Sequence, residues 1–319
     1  MKISVLGCGR WGSFLGWYLN NQSHDVYMWG RENSPSFLQL KNNGQNEYVR
    51  LSESIRLTSD LNKAVEHAEV LIISIGAQSL RAFLQSVAKL NIKDKIFCLC
   101  MKGLEENTGK RLSEIAVECG IEKDKIAVWV GPGHIQSFTS GLPNCMVIDS
   151  DNKQLVKFLS DNFRSSLIRF YYGDDLIGSE IGAAAKNVMG IAAGMLDGGG
   201  YTTLKGPLMA RGAREVARLI KVMGGNELSA YGLCHLGDYE TTLFSQYSHN
   251  RKFGEEFVKG VKFDKLAEGV STAKALKVLG EKYDVELPIT NAVYSIIYEG
   301  KEPMSVFLSL FSRSTRKEF

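Results

Sequence analysis

The chain has 319 residues, 44% hydrophobic and 23% charged, a balance that excludes disordered, collagen-like and coiled-coil proteins. Its 38 basic and 35 acidic side chains leave a net charge of +3, too small and too evenly spread for a nucleic-acid or membrane-surface protein. No apolar stretch reaches the roughly 18 residues that a membrane span requires, and the length suits about two domains of roughly 150 residues.

Strands are predicted at residues 2–7, 25–29, 70–75, 95–101, 126–130, 145–148 and 168–172, with helices such as 79–90 and 108–119 between them. Short apolar runs alternating with amphipathic stretches imply βαβ units and a mostly parallel sheet covered on both faces. From Asp175 onward strand signals nearly vanish, and helical patterns take over at 177–195, 204–223, 226–234 and 272–282. The predicted architecture is α/β: an N-terminal Rossmann-type, mostly parallel, doubly wound sheet over residues 1–175 and an all-helical domain over residues 176–319. The helical part could support a homodimer.

The six cysteines contain no C-x-x-C pair, and the five histidines show neither H-x-H nor H-E-x-x-H, so no metal site is expected. Cys98 and Cys100, two apart in an apolar strand run, read as core. Reduced thiols, and an N-terminus that enters an apolar run straight after Met1-Lys2 without a signal-peptide pattern, point to the cytoplasm.

The first predicted strand runs into Gly7-Cys8-Gly9-Arg10-Trp11-Gly12 and then a helical pattern. Each glycine has a physical task. Gly7 makes the tight turn, Gly9 admits the pyrophosphate to the backbone, and Gly12 lets helix and strand pack closely, so the helix amides face the phosphates. G-x-G-x-x-G alone is a weak signal; preceded by a strand and opening a βαβ pattern, it indicates a bound dinucleotide. An NAD enzyme usually carries an acidic residue at the tip of the second strand. Here the chain reads Gly30-Arg31-Glu32, so Arg31 favours the 2′-phosphate of NADP while Glu32 leaves NAD open. Residues 103–110 imitate a P-loop, but five residues separate the glycines, and Arg111 stands where Ser or Thr would bind magnesium.

Two lysines stand where chemistry tends to occur. Lys102 follows an apolar strand, at the carboxyl end where α/β proteins bind ligands; a snorkelling surface lysine is the alternative there. Lys186 lies in Ala183-Ala184-Ala185-Lys186-Asn187-Val188, where an ammonium is costly unless paired and burial draws it toward acid–base use.

These residues bring out a resemblance. The chain resembles the bacterial-type NAD(P)-dependent sn-glycerol-3-phosphate dehydrogenases over nearly its whole length. The matching blocks are the glycine loop, Lys102-Gly103, Gly131-Pro132, Ala185-Lys186-Asn187-Val188, Asp197-Gly198, Arg211-Gly212, Leu236-Gly237-Asp238, Ser248-His249-Asn250-Arg251 and Glu268-Gly269-Val270. The resemblance implies reduction of dihydroxyacetone phosphate to sn-glycerol 3-phosphate with NADP or NAD, feeding glycerophospholipid synthesis. Lys186 would be the proton donor or acceptor at the substrate C2 oxygen, Lys102 a second lysine beside substrate and nicotinamide, and Asp238 the carboxylate that orients the site. Gly131, Asn187, Ser248, His249, Asn250 and Arg251 fall at substrate positions. Arg10, Trp11, Ile135, His249 and Glu268 join Gly7, Gly9, Gly12, Arg31 and Lys102 at cofactor positions.

The chain also departs from the family pattern. His249 replaces the first arginine of Ser-Arg-Asn-Arg, Gly133 replaces a serine after Gly131-Pro132, and the loop 199–205 is one residue shorter. A guanidinium grips phosphate bidentately and is always charged; an imidazole is neither bidentate nor always charged. Either Arg251, Lys205 or a protonated His249 compensates, or the substrate differs. Two alternatives therefore stay open: a related dehydrogenase acting on another small ketone or hydroxy acid, and a nucleotide-binding sensor whose catalysis has decayed. Retention of Lys102, Lys186 and Asp238 speaks against the sensor.

Overall fold

The apolar run after Met1 becomes β1 (Lys2–Leu6), an interior strand of an eight-stranded sheet in the computed structural model, which describes residues 1–315 and 317–318. The other strands are β2 (Asp25–Trp29), β3 (Arg56–Thr58), β4 (Val70–Ile73), β5 (Ile96–Leu99), β6 (Ile126–Val130), β7 (Asn144–Asp149) and β8 (Ile168–Tyr172). Their order is β3-β2-β1-β4-β5-β6-β7-β8, with every neighbouring pair parallel except β6 and β7. All of β4 and β6 is buried, the continuous apolar reading expected of strands covered on both faces. The strand order turns back between β1 and β4, so the crevice where α/β sheets bind ligands opens beyond the carboxyl ends of these two strands, directly at the glycine loop.

Seven of the strands coincide with predicted ones: β1, β4 and β5 are trimmed at the ends, β2, β6 and β8 match, and β7 is one residue longer at each end. β3 was not predicted, because three residues are too short to display a period of two. Cys98 and Cys100 are both buried, with their sulfurs 4.0 Å apart and their thiols free.

The chain divides into two units: Met1–Lys102 with Lys110–Glu180, and Gly103–Gly109 with Ile181–Phe319. The second is helical, built on Leu176–Gly198, Lys205–Val222, His249–Val258, Glu268–Lys282, Pro288–Glu299 and Pro303–Ser309. The predicted helix at 226–234 is instead a short 3-10 turn, Glu227–Tyr231. Glycines at 224, 225 and 232 bracket a run too short to repay helix nucleation.

Residues 181–196 are wholly buried, as befits a helix that is apolar all round. Their small side chains set the packing. A Cβ at Gly194 would overlap the Arg251 carbonyl, and a Cβ at Gly254 would overlap the Ile191 carbonyl, so the helices Leu176–Gly198 and His249–Val258 meet backbone to backbone. Each unit also anchors a helix start with a buried carboxylate. Glu180 accepts from Ser113 N–H at 2.9 Å and pairs with Arg111 at 2.8 Å, at the start of Leu112–Glu118. Glu215 accepts from Ile289 N–H at 2.8 Å and Thr290 N–H at 2.9 Å, at the start of Pro288–Glu299. Burial pushes both carboxyls above their usual range, and these donors oppose it.

Candidate active site

In the sheet unit the glycine loop has the shape its spacing requires. Gly7 adopts φ +127°, and its N–H donates to the Trp29 carbonyl at 2.9 Å, tying the loop to the end of β2. A Cβ at Gly12 would collide with the Gly7 carbonyl, whereas nothing lies within 4 Å of a Cβ built on Gly9. Gly9 caps the helix Arg10–Asn21 without a side-chain bond, so the first-turn amides are left for an outside acceptor. An open glycine above an uncapped helix start is a cradle that a pyrophosphate fits. Arg31 is exposed just beyond the end of β2. Trp11 packs tilted against Phe14 at 5.0 Å, Arg10 donates to Gln136 at 3.3 Å, and Ile135 is buried at the start of Ile135–Thr139.

Lys102, three residues beyond β5, donates through Nζ to the Gly131 carbonyl at 2.5 Å. Two residues expected at the site, on loops after β5 and β6, are thereby joined. Gly131 has φ +126°, and a Cβ there would press on Met146.

In the helical unit Lys186 is 7% exposed and Asp238 fully buried, with Nζ 3.0 Å from Oδ2. Lys186 also donates to Thr242 Oγ1 at 2.7 Å, while Thr241 donates to the other Asp238 oxygen. Both threonines belong to a single π-helical turn, Glu240–Phe244, the kind of irregularity that clusters at functional sites. Sequence reasoning missed Thr242, because only the extra residue of a π turn brings it back to Lys186.

Behind this pair lies His235, fully buried. Its Nδ1 faces the Gly182 carbonyl at 2.9 Å, so Nδ1 carries the hydrogen and Nε2 accepts from the Tyr239 hydroxyl at 2.6 Å. Burial pushes its pKa down to about 4 and keeps the ring neutral. The ring bolts the turn carrying Asp238 to the helix carrying Lys186, one helical turn from the lysine.

Other expected residues converge on the same helix. Asn250 donates to Asn187 Oδ1 at 3.1 Å and accepts from Gly269 N–H at 2.9 Å, which brings the helix start at Glu268 against both asparagines. Ser248 caps the helix His249–Val258 by accepting from Arg251 N–H at 3.3 Å. His249 opens that helix, edge-on to Phe263 at 6.2 Å. Arg251 and Lys205 share one carboxylate: Asp197 Oδ2 lies 2.8 Å from Arg251 Nε and 2.6 Å from Lys205 Nζ. Arg251 further pairs with Glu255 at 3.2 Å. No cluster of His, Cys, Asp and Glu suited to a metal occurs among the described residues.

Residues 2–156 match the family described as the N-terminus of NAD-dependent glycerol-3-phosphate dehydrogenase, and residues 175–307 match the corresponding C-terminus. A relative named glycerol-3-phosphate dehydrogenase (NAD(P)+) from Macrococcus caseolyticus is 34% identical over 100% of this chain and 100% of its own. One of the same name from Chlorobium phaeobacteroides is 34% identical over 100% and 99%. The crystal structure of glycerol-3-phosphate dehydrogenase from Coxiella burnetii superimposes with a TM-score of 0.90 at 27% identity, covering 98% of both chains.

The buried neutral His235 sets an acid limit on stability. Between pH 6.5 and about 4 the unfolded chain protonates this residue while the folded chain does not, so stability falls as pH falls through that window. The full effect is about 3 kcal/mol. In urea unfolding at pH 7 and pH 4.5, His235→Asn should lose distinctly less stability on acidification than the wild type. Equal losses would assign the acid sensitivity to other groups.

Proposed function

The chain belongs to the NAD-dependent glycerol-3-phosphate dehydrogenase family, and from that membership we propose that it reduces dihydroxyacetone phosphate to sn-glycerol 3-phosphate, reversibly, with NADPH or NADH. The observation that carries the reading is the buried Lys186–Asp238 ion pair, 3.0 Å across, in an otherwise apolar helix. Breaking a buried pair costs roughly 3–5 kcal/mol, and an ammonium held there has a direct use in this reaction.

Nicotinamide, when bound, supplies the hydride to the carbonyl carbon of the substrate. Negative charge then develops on the C2 oxygen. Lys186 stabilises that charge and donates its proton to the oxygen; in the reverse direction it takes the proton back. Asp238 pairs with Lys186 across 3.0 Å, and Thr242 fixes the direction of Nζ. His235 and Tyr239 hold the Asp238 turn in register with the lysine. Lys102, steered by the Gly131 carbonyl, serves as the second cation beside substrate and cofactor.

Cofactor binding falls to Gly7, Gly9, Arg10, Trp11 and Gly12, with Arg31, Ile135, His249 and Glu268 completing it. Substrate binding falls to Asn187, Ser248, His249, Asn250 and Arg251, so residues 1–175 form the cofactor domain and residues 176–319 the substrate domain. The even charge balance and reduced cysteines support a cytoplasmic enzyme without a nucleic-acid partner, and the helical domain suits a homodimer. No helix among the described residues is long and apolar enough to cross a membrane. The product is the backbone of glycerophospholipids.

One observation favours a second reading. Arg251 and Lys205, the two cations that could replace the family arginine at position 249, are both held by Asp197. Another small ketone or hydroxy acid, without the phosphate, is therefore the alternative substrate.

With purified protein, loss of the reduced-cofactor absorbance should be fast and saturable with dihydroxyacetone phosphate, and slow with ketones lacking the phosphate; the reverse preference would install the second reading. Lys186→Ala should lower kcat by about 10²–10⁴-fold with cofactor affinity nearly intact, and a mild loss would remove Lys186 from the proton transfer. Arg31→Gln should raise KM for NADPH more than for NADH; equal effects would refute the 2′-phosphate contact.

A further inference from the structure

The helical unit holds a cavity of about 630 Å³ to which none of the residues above assigned to substrate or cofactor contributes. One wall is the helix Lys205–Val222. Arg211, Arg214 and Arg218 line the cavity from that helix at spacings of three and four, so they form a single stripe of like charge. Arg313 and Lys317 add two more cations from the C-terminal segment.

The carboxylates in the lining are engaged in several ways. Glu215 spends its oxygens on Ile289 N–H, Thr290 N–H and the Thr290 hydroxyl. Glu286 is paired with Arg313 at 3.0 Å. Among the described residues Arg218 hydrogen-bonds backbone carbonyls, those of Glu286 at 2.8 Å and Arg214 at 3.4 Å, and Arg211 reaches only the Glu318 carbonyl at 3.4 Å. Among the described residues, five cations, Arg211, Arg214, Arg218, Arg313 and Lys317, line the cavity with three carboxylates, Glu215, Glu286 and Glu318. Burial and its two arginine neighbours together push Arg218 below its ordinary pKa.

The rest of the lining is apolar. Leu204, Leu208, Ile289 and Phe307 form the floor, and Phe311 stands at the rim 62% exposed. A cluster of arginines against an apolar floor is matched by a molecule with an anionic head and a hydrocarbon tail. The Arg211-Gly212 block, which the reaction leaves without a task, also lies on this wall.

We propose that this cavity is a binding site for an amphipathic anion, its phosphate or carboxylate head on Arg211, Arg214 and Arg218 and its tail against Leu208, Phe307 and Phe311. Such a ligand would rest on the helix whose Gly212 packs against Met189 and the Tyr239 hydroxyl, and Tyr239 braces His235 behind Asp238. The binding claim stands independently of which ketone the enzyme reduces.

The test is calorimetric titration of the full chain with octyl phosphate, inorganic phosphate and octanol, with the catalytic site filled by saturating NADP+ and dihydroxyacetone phosphate, a pair that has no hydride to transfer. Octyl phosphate should bind one to one, at least about tenfold more tightly than either fragment. Arg211→Gln with Arg214→Gln should weaken it about tenfold or more, since both charge-assisted bonds to the head are lost. The rim variant Phe311→Ser, which leaves the core intact, should weaken octyl phosphate while leaving inorganic phosphate unchanged. Equal affinity for inorganic phosphate would reduce the site to a plain anion patch and overturn the amphipathic reading. Displacement by the substrate, binding indifferent to the arginines, or no binding would overturn the site itself.

Discussion

Backbone contact between two helices underlies the geometry of the helical unit. Gly194 and Gly254 each face the other helix's carbonyl, so the helices Leu176–Gly198 and His249–Val258 lie closer than any side chain would permit. That approach carries Asn250 to Asn187, and from Asn250 the link continues to the start of Glu268–Lys282. Gly190, one turn before Gly194, leaves room for the Thr242 methyl, and the π turn carrying Thr242 reaches Lys186. A single methyl group at any of these positions would push apart the polar groups that the site depends on. The apolar helix is therefore selected for smallness as much as for hydrophobicity, and its one ammonium is tolerated because a carboxylate and a hydroxyl are brought to it.

Charge in this unit is arranged in opposed groups. Lys186 and Asp238 neutralise each other in the interior. Lys205, Arg251 and Asp197 form a triad nearer the surface, joined by Thr202 at 3.0 Å. The triad explains how this chain can hold two cations near the start of the helix His249–Val258 without repulsion, and Glu255 adds a second carboxylate on Arg251.

Much of this was legible in the sequence. Alternating apolar runs foretold the sheet, and the disappearance of strand signals after Asp175 foretold the helical unit, because period and length are local properties. The glycine loop was legible because each glycine answers a separate steric demand. Lys186 stood out because an ammonium among alanines demands a partner. What stayed hidden depends on contacts remote in the chain. β3 has too few residues to show a pattern. Thr242 and His235 look ordinary until a π turn and a 3-10 turn aim them at the helix of Lys186. The engagement of Arg251 and Lys205 by Asp197 could not be inferred from spacing, since the three residues come from three segments.

The buried carboxylates at helix starts bear on the order in which the chain assembles. Ile289 and its helix wait for an acceptor on Glu215, 74 positions earlier; Ser113 and its helix wait for Glu180, 67 positions later. Pro288–Glu299 has no side-chain cap of its own, whereas Leu112–Glu118 also has Glu114, which accepts from Arg111 N–H at 2.7 Å. Helix formation is thus coupled to tertiary docking fully at the first and in part at the second. On the ribosome, the helix Leu112–Glu118 emerges long before Glu180, whereas Pro288–Glu299 emerges with Glu215 already made.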